Sequence, residues 1–330
     1  MTMNERYEDV LKQYELEVKQ VRKGRGVWIC ETDRGMKSLR EYQGTCKRLE
    51  FEDQVLGRLK ALPGFLTDQY VRNAEGNLLS TAEDGTRFVL KDWYGNQECN
   101  LKDGNEICRG LRSIACLHQG LREIPFAEEW AMGSTQPNLP DQDMKRHNRE
   151  LRRARTYIRG KRKKSDFELC VMKSFDSFFE QAEEAADGLA GLWAEGEEPR
   201  CLCHGDLDQH HVLMTDGQVA IVEYNRLHLG LQVEDLYRFM RKAMEKHGWS
   251  LALGREMLEA YQGELWLDEK ERQCLYYLFL YPEKYWKQIN YYFNANKAWI
   301  PARNMDKIIS LKEQERERRR FLDWLRAAWI

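Results

Sequence analysis

The sequence has no long apolar run, no Cys-x-x-Cys pair and almost no net charge, and each absence removes a class of protein. Its apolar stretches fall far short of the roughly 20 residues needed to cross a bilayer. Residues 1–12 are polar and lack the apolar core of a secretory signal. A net charge of −2 creates no global field for nucleic acid or a membrane surface. The nine cysteines are scattered and odd in number, which points to reduced thiols in a cytosol-like compartment. Cys201 and Cys203 lie two apart on an expected strand and face the same way; a redox or metal pair fits that spacing less well than two small buried hydrophobes do. There is no internal repeat and no low-complexity segment. What is there is a chain of 330 residues, 42% hydrophobic and 32% charged, enough for one large globular domain or two smaller ones.

The first third reads as β-rich. Val27 to Thr32 and Met36 to Tyr42 alternate as strands around an Asp33-Arg34-Gly35 turn. Leu49, Val55, Leu56, Leu59 and Leu62 fall at helical spacing over residues 45–61, with Pro63-Gly64 as the stop. Residues 65–72, 77–81 and 88–91 complete a meander, with a hairpin turn at Glu83-Asp84-Gly85. Beyond Asp92-Trp93-Tyr94-Gly95 the apolar period turns helical: residues 104–122, a basic segment 144–164 and an amphipathic one over 175–194. A short strand at 201–203 precedes a C-terminal stretch that is nearly all helix.

The chemistry gathers in Cys203-His204-Gly205-Asp206-Leu207-Asp208-Gln209-His210-His211 and in Val222-Glu223-Tyr224-Asn225. In kinase-type enzymes an Asp after a His-containing turn takes the substrate hydroxyl proton. An Asn five residues on holds a magnesium ion, and a second Asp, delivered by a hairpin, binds the metals that bridge the phosphates. Asp206 stands at the base position and His204 braces the turn. His211 replaces the Asn and Glu223 replaces the second Asp. Imidazole is a poor magnesium ligand, and the extra methylene of Glu223 shifts its oxygens by about a bond length. Asn225 resembles the place of a second carboxylate without its charge. Asp206 therefore reads either as a working base or as a turn-stabilising acid kept by the fold. Taking His204, Asp206, Asp208, His210 and His211 together as a zinc site lacks the usual paired helical spacing.

His204-Gly205-Asp206, the strand around Glu223 and Val233-Glu234-Asp235-Leu236 resemble the aminoglycoside/choline phosphotransferase superfamily. Residues 23–26, 32–35, 47–52, 68–73, 90–94 and 232–242 are similar to the CotS family of bacterial spore coat proteins, and the similarity runs over nearly the whole chain. The resemblance implies an α+β, protein-kinase-like two-lobed fold. Residues 1–94 would form a small lobe of antiparallel sheet plus one helix. A hinge near 91–96 would join it to a large, mostly helical lobe, 95–330, that carries the catalytic-loop-like segment 203–225. The resemblance also implies synthesis in the mother-cell cytoplasm of an endospore former and placement in the coat, with coat proteins as partners.

On that pattern Arg40 takes the place of the strand lysine that holds nucleotide phosphates, and Glu52, rather than Glu50, is the helix partner. Lys37 substitutes for Arg40 only in a different strand register. Arg25, in the two-glycine turn 23–26, is placed to contact a phosphate, although a plain turn explains the same residues. Asp92 marks the hinge side of a nucleotide site, and Glu223 and His211 form a degenerate metal pair. Asp235 reads as a structural acid at a helix start. The eleven basic residues between 145 and 164 read as a solvated helical face with an acidic partner at Glu180, Glu183, Glu184 and Asp187, in preference to a nucleic-acid surface. The aromatics between 276 and 293 read mostly as core. Two functions fit: a degenerate kinase-like coat component, or an atypical phosphotransferase that uses ATP with magnesium or manganese on a hydroxyl or amine.

Overall fold

A computed structural model provides the structure and describes residues 3–24, 26–62, 65–193, 200–294 and 302–330. The chain starts with helix α1 (Met3–Leu11) and strands β1 (Val18–Lys23), β2 (Trp28–Thr32) and β3 (Gly35–Glu41). Helix α2 (Cys46–Leu59) begins at Thr45, whose hydroxyl accepts the Arg48 N–H at 3.2 Å. Short strands β4 (Leu66–Thr67), β5 (Tyr70–Val71) and β6 (Ser80–Thr81) lead to β7 (Arg87–Asp92). Asp103 then caps α3 (Gly104–Arg122) by accepting from two backbone N–H groups. Helices α4 (Pro140–Gly160), α5 (Asp166–Met172) and α6 (Phe175–Ala190) follow. Next come strands β8 (Cys201–Cys203), β9 (Val212–Met214), β10 (Val219–Ile221) and β11 (His228–Gly230). The chain closes with α7 (Gln232–Lys246), α8 (Leu251–Gln262), α9 (Glu269–Leu280), α10 (Glu283–Asn294) and α11 (Ala302–Trp324).

By compactness the chain forms two units: residues 1–135 with 201–229, and residues 136–200 with 230–330. The first holds an antiparallel sheet in the order β1-β2-β3-β7-β5, with β6 also on β7. The central strand β7 explains why Phe88, Val89 and Leu90 are all buried. Phe88 and Leu90 join Val10, Leu11, Tyr14 and Leu39 on the α1 side, and Val89 packs with Leu49 of α2 on the other. The segment 201–229 belongs to this unit because β10 pairs in parallel with β4 (Ala220↔Leu66, Ile221↔Thr67) and antiparallel with β9.

Helix α1 and strand β1 are absent from the sequence reading. Along β1 the period-two signal is interrupted, because the register against β2 shifts between Val18 and Gln20. Its two apolar positions, Val18 and Val21, are three apart, with Lys19 and Gln20 between them. The stop assigned to residues 63–64 lies outside the described residues; α2 ends at Leu59. Helix α5 and strand β11 were not expected either, and the strand expected over 65–72 is two, β4 and β5, of which only β5 joins the antiparallel sheet; the other expected elements lie within a few residues of their places.

The second unit is helical among its described residues, apart from Gly230 at the end of β11. Its basic helix α4 is paired with the acidic α6, through Arg152–Glu183 and Arg155–Asp176. These pairs are those of a solvated face with an intramolecular partner. Arg318 of α11 is buried and ties three helices: one nitrogen donates to Gln181 of α6 at 2.6 Å, another to the Phe279 and Leu280 carbonyls at the end of α9 at 2.7 Å each. A cation is favourable where helix carbonyls lack intrahelical partners. Tyr276, Phe279, Tyr281 and Tyr285 are core, and Tyr291 is exposed. Asp235 is not the cap of α7. That position is Leu231, and Asp235 sits buried inside the first turn.

Its neighbour Glu234 gives a pH-dependent prediction. Burial, opposed by Arg238 and reinforced by Asp235, Asp143 and Glu283, pushes its carboxyl from 4.5 up to about 7. A carboxyl raised on folding is protonated longer in the folded state. Its contribution to stability is therefore full below about 4.5, falls as pH rises to about 7, and levels off above that. Glu234→Gln should remove this decline and raise stability at pH 8 by on the order of 2 kcal/mol. Urea-unfolding midpoints of both proteins at pH 5 and pH 8 check this; a Glu234→Gln variant whose stability differs from wild type equally at the two pH values would contradict it. No helix among the described residues is long and apolar enough to cross a membrane.

Candidate active site

Strand alternation decides between Arg40 and Lys37. Lys37 and Leu39 share the α1 face of β3, and Lys37 donates to Asp92 across the Lys37↔Asp92 pair at 2.6 Å. Arg40 and Ser38 lie on the opposite face, as does Lys91, which pairs with Ser38. Arg40 thus faces the segment around residue 223 without any change of register.

The turn after β8 is built on His204 and Gly205. His204 is fully buried. Its Nδ1 accepts the Asp206 N–H at 3.3 Å, so Nε2 carries the proton and donates to the Val222 carbonyl at 3.0 Å. These two bonds tie the turn to the segment that leads to Glu223. Gly205 has φ +85°, and a Cβ there would stand 2.3 Å from the Arg226 carbonyl oxygen. The turn delivers Asp206 half-buried; its carboxylate accepts no hydrogen bond among the described residues. His211 Nδ1 donates to the Asp206 carbonyl at 2.6 Å and lies 3.3 Å from the Asp208 carboxylate. Burial works against its charge, but Asp208 and then Asp206 outweigh it and hold the imidazole above its ordinary pKa.

Glu223 follows β10 in a left-handed conformation, φ +70°, which costs a non-glycine residue about 1–3 kcal/mol. Two partners fix it there. Its N–H donates to both Asp68 oxygens at 3.3 and 3.2 Å, and its carboxylate accepts from Arg40 at 2.6 Å. Burial alone would raise the Glu223 carboxyl; Arg40, Lys91 and His211 hold it below its ordinary value. Asp68 is held above its ordinary value by burial, against Lys91 at 2.6 Å, with Glu223 adding to the rise.

The expected pair of Arg40 and Glu52 does not form. Glu52 accepts from Arg48 Nε and from the Tyr70 hydroxyl, both at 2.6 Å. Arg48, four residues before Glu52 on α2, is one turn away on the same face, whereas Arg40 is drawn to Glu223. The Tyr70 ring also lies 4.5 Å below Lys91 Nζ. A continuous ionic and aromatic chain thus runs Arg40–Glu223–Asp68–Lys91–Tyr70–Glu52–Arg48. Asp68, Lys91, Tyr70 and Arg48 were not singled out in the sequence. The signal was present in Lys91, a charge that directly continues the apolar run Phe88-Val89-Leu90 and so needed a buried partner. Asp92 has its carboxylate occupied by Lys37. Arg25 lies outside the described residues.

The donor set does not suit magnesium. The Glu223 carboxylate is engaged by a guanidinium, and an imidazole that donates to a backbone carbonyl replaces the amide oxygen. Nor do the five His and Asp residues of the turn converge: His210 pairs with Glu98 at 2.8 Å. No cluster of three His, Cys, Asp or Glu side chains among the described residues is arranged to hold a metal ion.

Comparison with known proteins gives the family and the fold. A family model for phosphotransferase enzymes matches residues 47–272. An aminoglycoside phosphotransferase from Alicyclobacillus acidocaldarius is similar in structure, with a TM-score of 0.83 at 15% identity over 97% of this chain and 95% of that one. A microcompartment-associated aminopropanol kinase aligns with a TM-score of 0.62 at 14% identity over 97% of each chain. An amicoumacin kinase solved with AMP-PNP and Ca2+ aligns at 0.60, with 13% identity over 98% of this chain and 94% of that one. No curated protein matches. These likenesses give the protein-kinase-like phosphotransferase fold, an antiparallel sheet with a helical part. Since the family match covers more than half of the chain and contains the whole turn from His204 to Glu223, the protein belongs to the phosphotransferase enzyme family.

Proposed function

We propose that this protein is a degenerate phosphotransferase that serves as an assembly component of a bacterial spore coat. The observation that carries the first half is the 2.6 Å bridge between Arg40 and Glu223. It joins the side chain in the place of the phosphate-holding lysine to the one in the place of the metal-binding acid. His211 puts an imidazole, a poor magnesium ligand, in the second ligand position. The coat half rests on the similarity of residues 23–26, 32–35, 47–52, 68–73, 90–94 and 232–242 to CotS proteins. In this reading the hinge lies near 91–96, with the small lobe before it and the large lobe after it.

Purified protein given ATP with magnesium, then manganese, and a panel of hydroxyl and amine acceptors should transfer phosphate at least about a thousand-fold below the roughly 10 per second typical of enzymes. Enzyme-like turnover that Asp206→Asn abolishes would overturn the reading. A fluorescent fusion expressed from its own promoter in an endospore former should be retained on purified spores; its loss on washing would remove the coat assignment.

One observation favours a second reading, an atypical phosphotransferase acting on a small hydroxyl or amine compound. The Asp206 carboxylate is half-buried and accepts no hydrogen bond among the described residues, so it is placed to take an acceptor's proton. The same assay decides between the two.

A further inference from the structure

We propose that the site binds the phosphate chain of a nucleotide as the free anion, without a divalent cation, and that Arg40 is its contact. This rests on the reading of the site as degenerate. That reading fails on phosphate transfer and this one on the metal dependence of binding, so the two failures are separable.

The charges argue for it. A divalent ion on the Glu223 carboxylate would lie beside a guanidinium already 2.6 Å from one of its oxygens. It must expel Arg40 or sit against a like charge. The buried carboxylate beside it, Asp68, is committed to Lys91 at 2.6 Å and to the Glu223 N–H. An anion meets the opposite situation. Among the described residues Arg40 makes a single hydrogen bond, from one terminal nitrogen to Glu223, out of the five that a guanidinium can donate. Its Nε is buried and has no partner, a donor without an acceptor. Guanidinium forks match phosphate oxygens, and Arg40 is partly exposed, so a phosphate can reach it. Glu223 then becomes the competitor: it occupies Arg40 and repels an incoming phosphate.

The sign of one substitution separates the two kinds of site. In a metal-dependent site, removing the carboxylate at 223 weakens nucleotide binding. In the site proposed here, Glu223→Gln releases Arg40 and should tighten ATP binding in EDTA about five-fold. The experiment is calorimetric titration of ATP in EDTA, ATP with magnesium, and inorganic tripolyphosphate in EDTA into wild type, Glu223→Gln, Arg40→Ala and Arg40→Lys, each checked for native circular dichroism. Wild type should bind ATP in EDTA at least as tightly as with magnesium. Arg40→Ala should weaken this about ten-fold or more, and Arg40→Lys less. Tripolyphosphate binding close to that of ATP assigns the affinity to the phosphate chain, and markedly weaker binding adds the nucleoside; both keep the proposal. Magnesium that tightens ATP binding ten-fold, a Glu223→Gln variant that binds more weakly, or no binding of ATP in EDTA overturns it.

Discussion

Gly205→Ala is expected to destabilise the protein by at least about 3 kcal/mol. Gly205 sits at φ +85°, and its substituent would meet the Arg226 carbonyl oxygen at 2.3 Å and His228 Nδ1 at 2.7 Å. Backbone cannot step aside as the end of a flexible side chain can. The turn is also clamped from within by His204, whose ring bonds both Asp206 and Val222. Gly217 is the control. It has φ +81° with nothing within 4 Å, so Gly217→Ala carries only the left-handed penalty of about 1 kcal/mol. Urea-unfolding midpoints of the two variants separate backbone strain from collision, and equal losses would contradict the crowding described here.

Asp68→Ala should cost about 3–5 kcal/mol, because it leaves the buried Lys91 ammonium without its carboxylate. It also takes the acceptor from the N–H of Glu223, a residue already in a costly conformation. The double variant Asp68→Leu with Lys91→Met should recover most of the loss, since a well-packed apolar pair is often as stable as a buried ion pair. The same unfolding measurements test it. A single-variant loss below about 1 kcal/mol would mean that Lys91 reaches water or another acid.

The fold was legible where pattern and period coincide. The alternation of β2 and β3, the apolar face of α3 and the turn around His204 all carry local signals, and Asp103 and Thr45 cap helices where their chemistry suggests. The site was legible as a set of positions, with Asp206, His204, Arg40, His211 and Glu223 in one unit. Its pairing was not. Arg40 was matched with Glu52 by analogy, but side-chain reach and strand register gave it to Glu223, while Glu52 was claimed by Arg48 one turn away. Sequence spacing cannot rank two acids for one cation when one lies 183 residues off. Strand β1 was lost for a different reason: its bulge interrupts the period that reveals strands.

The parallel pairing of β4 with β10 bears on how this chain is made. Residues 66 and 67 leave the ribosome long before 220 and 221, and three helices of the second unit, α4 to α6, emerge between them. Until then Asp68 has no residue 223 to hold, and the ammonium of Lys91 and the guanidinium of Arg40 have one carboxylate between them instead of two. The sheet-bearing unit therefore cannot complete itself in order of synthesis. Loop closure across more than 150 residues makes this a late, non-local step, which is slow in proportion to the separation of its contacts. Fragments ending at residue 94 or 135 would contain the antiparallel sheet and β4, but neither β10, which pairs with β4, nor the Glu223 carboxylate that Arg40 holds.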